Sequence, residues 1–268
     1  MHCNRKCSFT PKARDNKSRS QKEESQNMES LEAARNRAYE LLEKINISLE
    51  ANEIDEARWF VEVASVITPA YLAGNNPRSQ SGHSGDETHW EHARSLVVDA
   101  ISKNGTFLDI GCASGHLMEC VQSWARKSGF TVEPYGLEIS SELAELARSR
   151  LPIWSDRIFV DNALYWNPPM RFDFVRTGLE YVPPVRQRDL VNHLLRNVVA
   201  PGGRLIIGAY NEERDETRDE QSREMVVASE SEVASWGFTI AGRSERRHYH
   251  DERLVYRAYW VDGIGESL

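Results

Sequence analysis

One eleven-residue segment constrains this chain more than any other. Residues 107–117 read Phe-Leu-Asp-Ile-Gly-Cys-Ala-Ser-Gly-His-Leu: an apolar run ending near an acid, a turn punctuated by two glycines, then the start of a helical stretch. A strand that passes straight into a helix through such a turn opens a βαβ unit, and glycine supplies the positive φ the turn needs. The chain beyond residue 117 keeps that rhythm. Apolar runs predict strands at Thr106–Ile110, Thr131–Leu137, Ile158–Val160, Phe172–Arg176 and Arg204–Ala209. Helical spacing predicts helices at Leu117–Lys127, Ser141–Arg150 and Gln187–Val199. The chain closes on two long apolar runs, Thr239–Arg247 and Arg253–Asp262, joined by a polar turn, the pattern of an antiparallel hairpin. The expectation is an α/β fold: seven strands, mostly parallel, helices on both faces, and a C-terminal antiparallel hairpin.

The N-terminal third reads differently. Residues 1–28 hold seven Lys/Arg against three Asp/Glu and almost no apolar side chains. Such a segment cannot bury enough surface to offset its ordering entropy, so a disordered basic tail is expected. Met28 opens a much better helical sequence, and translation starting there would account for the tail. Residues 29–87 are expected to form a helical hairpin and a polar loop. The first helix runs from Glu29 to about Glu50 and the second from Ile54 to Ile67, ended by Pro69. The glycine-rich stretch Ala73–Thr88 comes next. Thr88 is placed as the cap of the next helix, with Glu91 at capping-box spacing. The main domain then spans 88–268. The N-terminal helices could cover a site or support a homodimer.

The domain's acids fall where open α/β sheets bind ligands, at the carboxyl ends of strands. Asp109 closes the first, Glu138 the second and Asp161 the third. The spacing Asp109-x-Gly111-x-x-x-Gly115 is not the Gly-x-Gly-x-x-Gly of pyrophosphate binders. An acid at that strand end suits a cationic or amino-acid portion of a ligand, with Gly111 for the tight turn and Gly115 for close backbone approach. Glu138 can accept the hydroxyls of a ribose, and Asp161 can accept a hydrogen bond from an adenine amino group.

These residues resemble the class I S-adenosylmethionine-dependent methyltransferases, over roughly residues 88–262. Ala113 stands where many members have a middle glycine, and Leu195–Ile207 is similar to their helix, Pro-Gly-Gly turn and fifth strand. The resemblance implies a Rossmann-like fold with S-adenosylmethionine as cofactor. It implies cofactor contacts at Asp109, Gly111, Ala113, Gly115, Glu138, Ile139, Asp161, Asn162, Ala163 and Arg176. It also implies that the segment after the fourth strand faces the transferable methyl, making Glu180 and Tyr181 candidates to contact the acceptor. His89, from the segment preceding the first strand, is a further candidate, with Trp90 packing on the ligand.

Other readings are narrowed by composition. A net charge of −8 argues against a nucleic-acid acceptor. Asn167-Pro168-Pro169-Met170 precedes the fourth strand, whereas the amino-methyltransferase motif it suggests follows that strand. Four cysteines without zinc-ribbon spacing predict reduced thiols and no metal site. His248 and His250 read as solvated turn residues. No apolar run nears the ~20 residues of a membrane helix, and the N-terminus has no apolar signal region, so a cytoplasmic protein is expected. The function expected is methyl transfer to a small molecule. The alternatives are methylation of protein or RNA, and cofactor binding without turnover by a regulatory protein.

Overall fold

A computed structural model of the chain describes residue 37 and residues 40–213, 227–249 and 251–263. The basic tail and the start of the first expected helix lie outside the described residues. Seven strands form one sheet in the order β3-β2-β1-β4-β5-β7-β6. They are β1 (Gly105–Ile110), β2 (Val132–Glu138), β3 (Ile158–Val160), β4 (Phe172–Thr177), β5 (Val199–Glu213), β6 (Ile240–Arg247) and β7 (Leu254–Asp262). The first five are parallel, and β7 runs antiparallel to both β5 and β6. The chain order reverses between β1 and β4, so the carboxyl ends of β1, β2 and β4 open onto one crevice.

Helix α1 covers residues 40–50. The others are α2 (Glu56–Leu72), α3 (Glu87–Arg94), α4 (His116–Lys127), α5 (Ser141–Arg150), α6 (Gln187–His193) and α7 (Glu230–Ser235). Side-chain alternation splits the core across the sheet. Leu108, Ile110, Val175, Leu205 and Ile207 pack with α6 and α7 on one face. Phe107, Phe174 and Ile206 pack on the other with Trp90 and Ala93 of α3 and Leu117, Val121 and Trp124 of α4. Complete burial of a large apolar side chain such as Phe107 or Phe174 contributes roughly 1.5–3 kcal/mol each.

Several boundaries depart from expectation. Pro69 does not end α2, which runs on to Leu72, and the N–H of Ala73 still reaches the Pro69 carbonyl at 3.0 Å. A proline so near the end of a helix removes only one backbone bond. The cap of α3 is Asp86, which accepts from the N–H of His89, rather than Thr88. That helix also stops at Arg94 and continues as a tight 3-10 turn, Ser95–Ala100. The helix expected to reach Val199 widens into a π turn at Leu194–Val198. Residues 200–203, with the Pro-Gly-Gly turn, bulge out between the pairings Phe172–Val199 and Phe174–Arg204. Helix α7 is an addition to the expected elements, although its capping box, Ser229 with Glu232, stands in the sequence.

The N-terminal helices pack on the domain. Phe60 of α2 joins the α6 face of the core, and Glu56 pairs with Arg186 and accepts from the Tyr165 hydroxyl. Among the described residues, no helix is long and apolar enough to cross a membrane.

Candidate active site

The turn after β1 is built from left-handed residues: Gly111 at φ +71°, Ala113 at +47° and Gly115 at +75°. Its backbone is held by its own bonds. The N–H groups of Gly111 and Cys112 reach the Leu137 carbonyl at 2.8 and 3.2 Å, and that of Gly115 reaches Cys112 at 2.7 Å. Ala113 is non-glycine in a region that costs an L-residue roughly 1–2 kcal/mol, so the surroundings must enforce it. Glu138 does so. Its Oε2 accepts from the N–H of Ala113 at 2.8 Å, while Oε1 accepts from those of Ile139 at 3.0 Å and Ser140 at 3.1 Å. The carboxylate thus ties the turn after β1 to the turn after β2. Burial pushes its pKa up, and the three backbone donors pull it down. A carboxylate has about four lone-pair sites, so three backbone bonds leave about one for a ribose hydroxyl, not the two expected.

Gly115 also serves packing: a Cβ there would lie 2.5 Å from Leu151 Cδ1, so this glycine lets α4 pack near α5. At Gly111 a Cβ would meet the Tyr181 ring at 2.8 Å, which places that ring over the turn.

Asp109 and Arg176 are register partners on β1 and β4. Both are buried, and Arg176 Nη1 donates to Asp109 Oδ1 at 3.3 Å, to the Ile110 carbonyl at 3.3 Å and to Tyr181 Oη at 2.8 Å. Burial raises the Asp109 pKa to about 6 against the pull of Arg176. Burial alone would depress Arg176, but Tyr181, Tyr210, Asp109 and Glu180 around it hold it charged. Its Nε–H is buried and, among the described residues, without a hydrogen-bond partner. Beyond β4, Glu180 and Tyr181 sit on a 3-10 turn, Leu179–Tyr181. Glu180 is half-buried, and burial raises its pKa although Arg176 and Arg94 oppose the rise.

The polar stretch before α3 lies on the glycine turn. Ser114 is fully buried and donates to the Pro77 carbonyl at 2.9 Å, and its hydroxyl pairs with that of Ser81 at 2.8 Å. His89 and Trp90, expected as wall residues, are each engaged with neighbouring side chains. His89 pairs with the Tyr256 hydroxyl of β7, and Trp90 is buried against His116 with its indole N–H on Cys120 Sγ. His248 is half-buried and packs on Tyr256 instead of standing in solvent. His250 lies outside the described residues. Asp161 is exposed and caps its own turn by accepting from Asn162 N–H, while Ala163 is buried and Ile139 is exposed at the rim. Cysteine spacing predicts no metal site, yet the fold brings ligand atoms of Glu87, His116 and Cys120 within 4.8 Å of one another. Glu87 is exposed and already paired with Arg78, so the cluster lacks a committed third ligand. Sequence reasoning missed Arg94 and Tyr210, which approach Arg176 from α3 and β5. The one available signal was a tyrosine near the carboxyl end of a parallel strand.

Comparison with known proteins places this geometry. In sequence, no curated protein matches the chain. Among solved structures, the [4+2]-cyclase SpnF is similar with a TM-score of 0.54 at 13% identity, covering 78% of this chain and 95% of that one. The N-methyltransferase NodS from Bradyrhizobium japonicum WM9 is similar at 20% identity and TM-score 0.46, covering 71% and 99%. A SAM-dependent methyltransferase from Geobacter sulfurreducens, solved with S-adenosyl-L-homocysteine, matches at 14% identity and TM-score 0.46, covering 66% and 94%. At 13% identity the likeness to SpnF speaks for the fold alone. The sequence profile of a family described as "Methyltransferase domain" matches residues 84–253, more than half of the chain, and the chain belongs to that family.

Proposed function

We propose that this methyltransferase moves the methyl group of S-adenosylmethionine onto a hydroxyl or amine of a small molecule, with Glu180 as the base. One observation carries the reading. At the carboxyl ends of β1, β2 and β4 a left-handed turn, a buried acid and a buried arginine with one unmatched donor converge on a single crevice. The parts fit the cofactor. Glu138 has a lone pair left for the ribose, Ile139 and Asn162 flank the place for the adenine, and the Asp109–Arg176 pair offers both signs to an amino-acid end. The orphaned Arg176 Nε–H suits the methionyl carboxylate. When bound, the cofactor supplies an electrophilic methyl on a sulfonium.

The chain's own residues then do three things. The turn and Glu138 fix the nucleoside, which orients the donor. The Ser81–Ser114 contact holds the polar strap over the turn and keeps water out of that side. Glu180, half-buried and beside the methyl-facing turn, takes the proton given up by the attacking oxygen or nitrogen as its bond to carbon forms. Tyr181, held by Arg176 against Gly111, forms one wall of the site where donor and acceptor meet. The net charge of −8 supports a small acceptor over a nucleic acid. The likeness to a cyclase is a reminder that this fold does not dictate one reaction, so turnover must be measured. The test is calorimetric titration with S-adenosylmethionine, with NAD as control, followed by mass spectrometry of a metabolite mixture incubated with methyl-labelled cofactor. Saturable binding of S-adenosylmethionine alone and a labelled product are expected. NAD binding, or cofactor binding with no methylated product, would overturn the reading.

A further inference from the structure

The acceptor end holds polar groups that the cofactor reading does not use. By alternation along the strands, Asp109 of β1, Arg176 of β4 and Tyr210 of β5 all face the α3–α4 side of the sheet. Tyr210 packs there with its hydroxyl fully buried and, among the described residues, without a hydrogen-bond partner. Its side chain folds back over Gly208, where a Cβ would sit 2.7 Å from the Tyr210 hydroxyl. Arg94, from the last turn of α3, stacks on that ring with its guanidinium carbon 3.5 Å from the centroid. The Arg176 guanidinium carbon is 5.4 Å from the same centroid. Arg94 is half-buried, and among the described residues its guanidinium has no hydrogen-bond or ion-pair partner. A buried phenol with an unmet hydroxyl is costly in a folded protein unless a ligand completes it, and the half-exposed guanidinium beside it keeps its donors open to the same ligand.

We infer that Arg94 and Tyr210 form a carboxylate-binding subsite for the acceptor, so that the molecule methylated carries a carboxylate apart from its reacting hydroxyl or amine. A planar guanidinium presents paired donors that match a carboxylate, and the phenol adds a third donor from the side. Arg94 and Arg176 both pull down the pKa values of Asp109 and Glu180, so two arginines and two acids share this part of the crevice. The cofactor also has a carboxylate, at its methionyl end. Position separates the two. The cofactor's nucleoside is placed by Glu138 on β2, and Tyr210 stands on β5, on the far side of β1 and β4 from β2. Arg176, between them, already offers its free Nε–H to the methionyl end. The assignment of the carboxylate to the acceptor rests on the proposed cofactor pocket, whereas the subsite itself does not.

The experiment is a pair of calorimetric titrations on the full chain, its Arg94→Met variant and its Tyr210→Phe variant, which keeps the ring and loses only the hydroxyl. The first compares S-adenosylhomocysteine with methylthioadenosine, which lacks the amino-acid end. The second titrates benzoate, with neutral benzamide as control, into protein saturated with S-adenosylhomocysteine. Benzoate is expected to bind where benzamide does not, and each variant to weaken it by roughly tenfold or more, the scale of a hydrogen bond to a charged group. Equal binding of the two probes, no benzoate binding, or no effect of either variant would overturn the subsite. If Arg94→Met instead weakens S-adenosylhomocysteine and spares methylthioadenosine, the carboxylate is the cofactor's own and the acceptor assignment falls. Failure of the unmodified chain to bind S-adenosylhomocysteine would sink the cofactor reading. Benzoate titrated into the ligand-free protein would then still decide the subsite.

Discussion

The two ends of the crevice are finished to different degrees. At the cofactor end, the turn after β1 is closed by its own backbone, and Glu138 takes three more backbone N–H groups from both turns. At the acceptor end, Tyr210 Oη is buried without a partner among the described residues, and Glu180 lies half-buried, while the unmatched Arg176 Nε stands between the two ends. The first region is closed by its own bonds, and on the proposed reading the second is completed by a ligand. A pocket for a cofactor common to every turnover can be preorganised at a cost met once in folding. A subsite with unmet donors tolerates its own desolvation in return for discriminating among acceptors, because the wrong ligand leaves those donors unmatched.

That contrast can be broken by substitution. Glu180→Gln should lower kcat by roughly 10²–10⁴, the span of general-base catalysis, and leave cofactor affinity and stability nearly unchanged. As a base it must be ionised, so kcat in the unmodified chain should rise with pH through its pKa. Burial places that rise above the ordinary carboxylate range, and the variant should lack it. A flat pH profile in both would remove Glu180 from the reaction. Glu138→Gln should do the opposite, costing roughly 1.5–3 kcal/mol of stability and cofactor binding through its lost charged hydrogen bonds, as measured by denaturant unfolding and titration. An unchanged midpoint would mean the two turns hold each other without it.

Smaller effects sharpen the same contrast. Tyr210→Phe deletes a buried, unpaired hydroxyl and should stabilise the ligand-free fold, by about 1 kcal/mol. Loss of stability there would show that the hydroxyl is satisfied after all. Ala113→Gly relieves a left-handed alanine at φ +47°, worth roughly 1–2 kcal/mol. It also adds unfolded-chain entropy of about 0.4–1 kcal/mol. A net gain of about 0.5–1 kcal/mol in thermal unfolding is expected, and a loss would place the strain elsewhere.

Much of the cofactor end was legible because it is local. Strand, turn and helix from 107 to 117 announce themselves in eleven consecutive residues, and Ser141–Arg150 fell where its spacing put it. Even α7 was readable from Ser229 and Glu232, had the capping box been sought after the charged segment. Glu138 was found for the right place but a partly different task. Its three backbone donors come from two turns, and only one of those turns is its neighbour in sequence. Gly115 was read as a ligand glycine, and its packing against Leu151, which arrives from the far end of α5, was not. The acceptor end was nearly silent. Arg94, Arg176 and Tyr210 come from a helix and two strands well apart in the chain, and no spacing rule joins them.

By itself, then, the sequence determined the alternation of strands and helices, the left-handed turn after β1 and the acids at strand ends, because periodicity and backbone conformation are properties of adjacent residues. Only the tertiary structure decided which charges meet, which glycine serves packing and which polar atoms are left unmatched. Burial and pairing are set by residues that the sheet order brings together from distant parts of the chain.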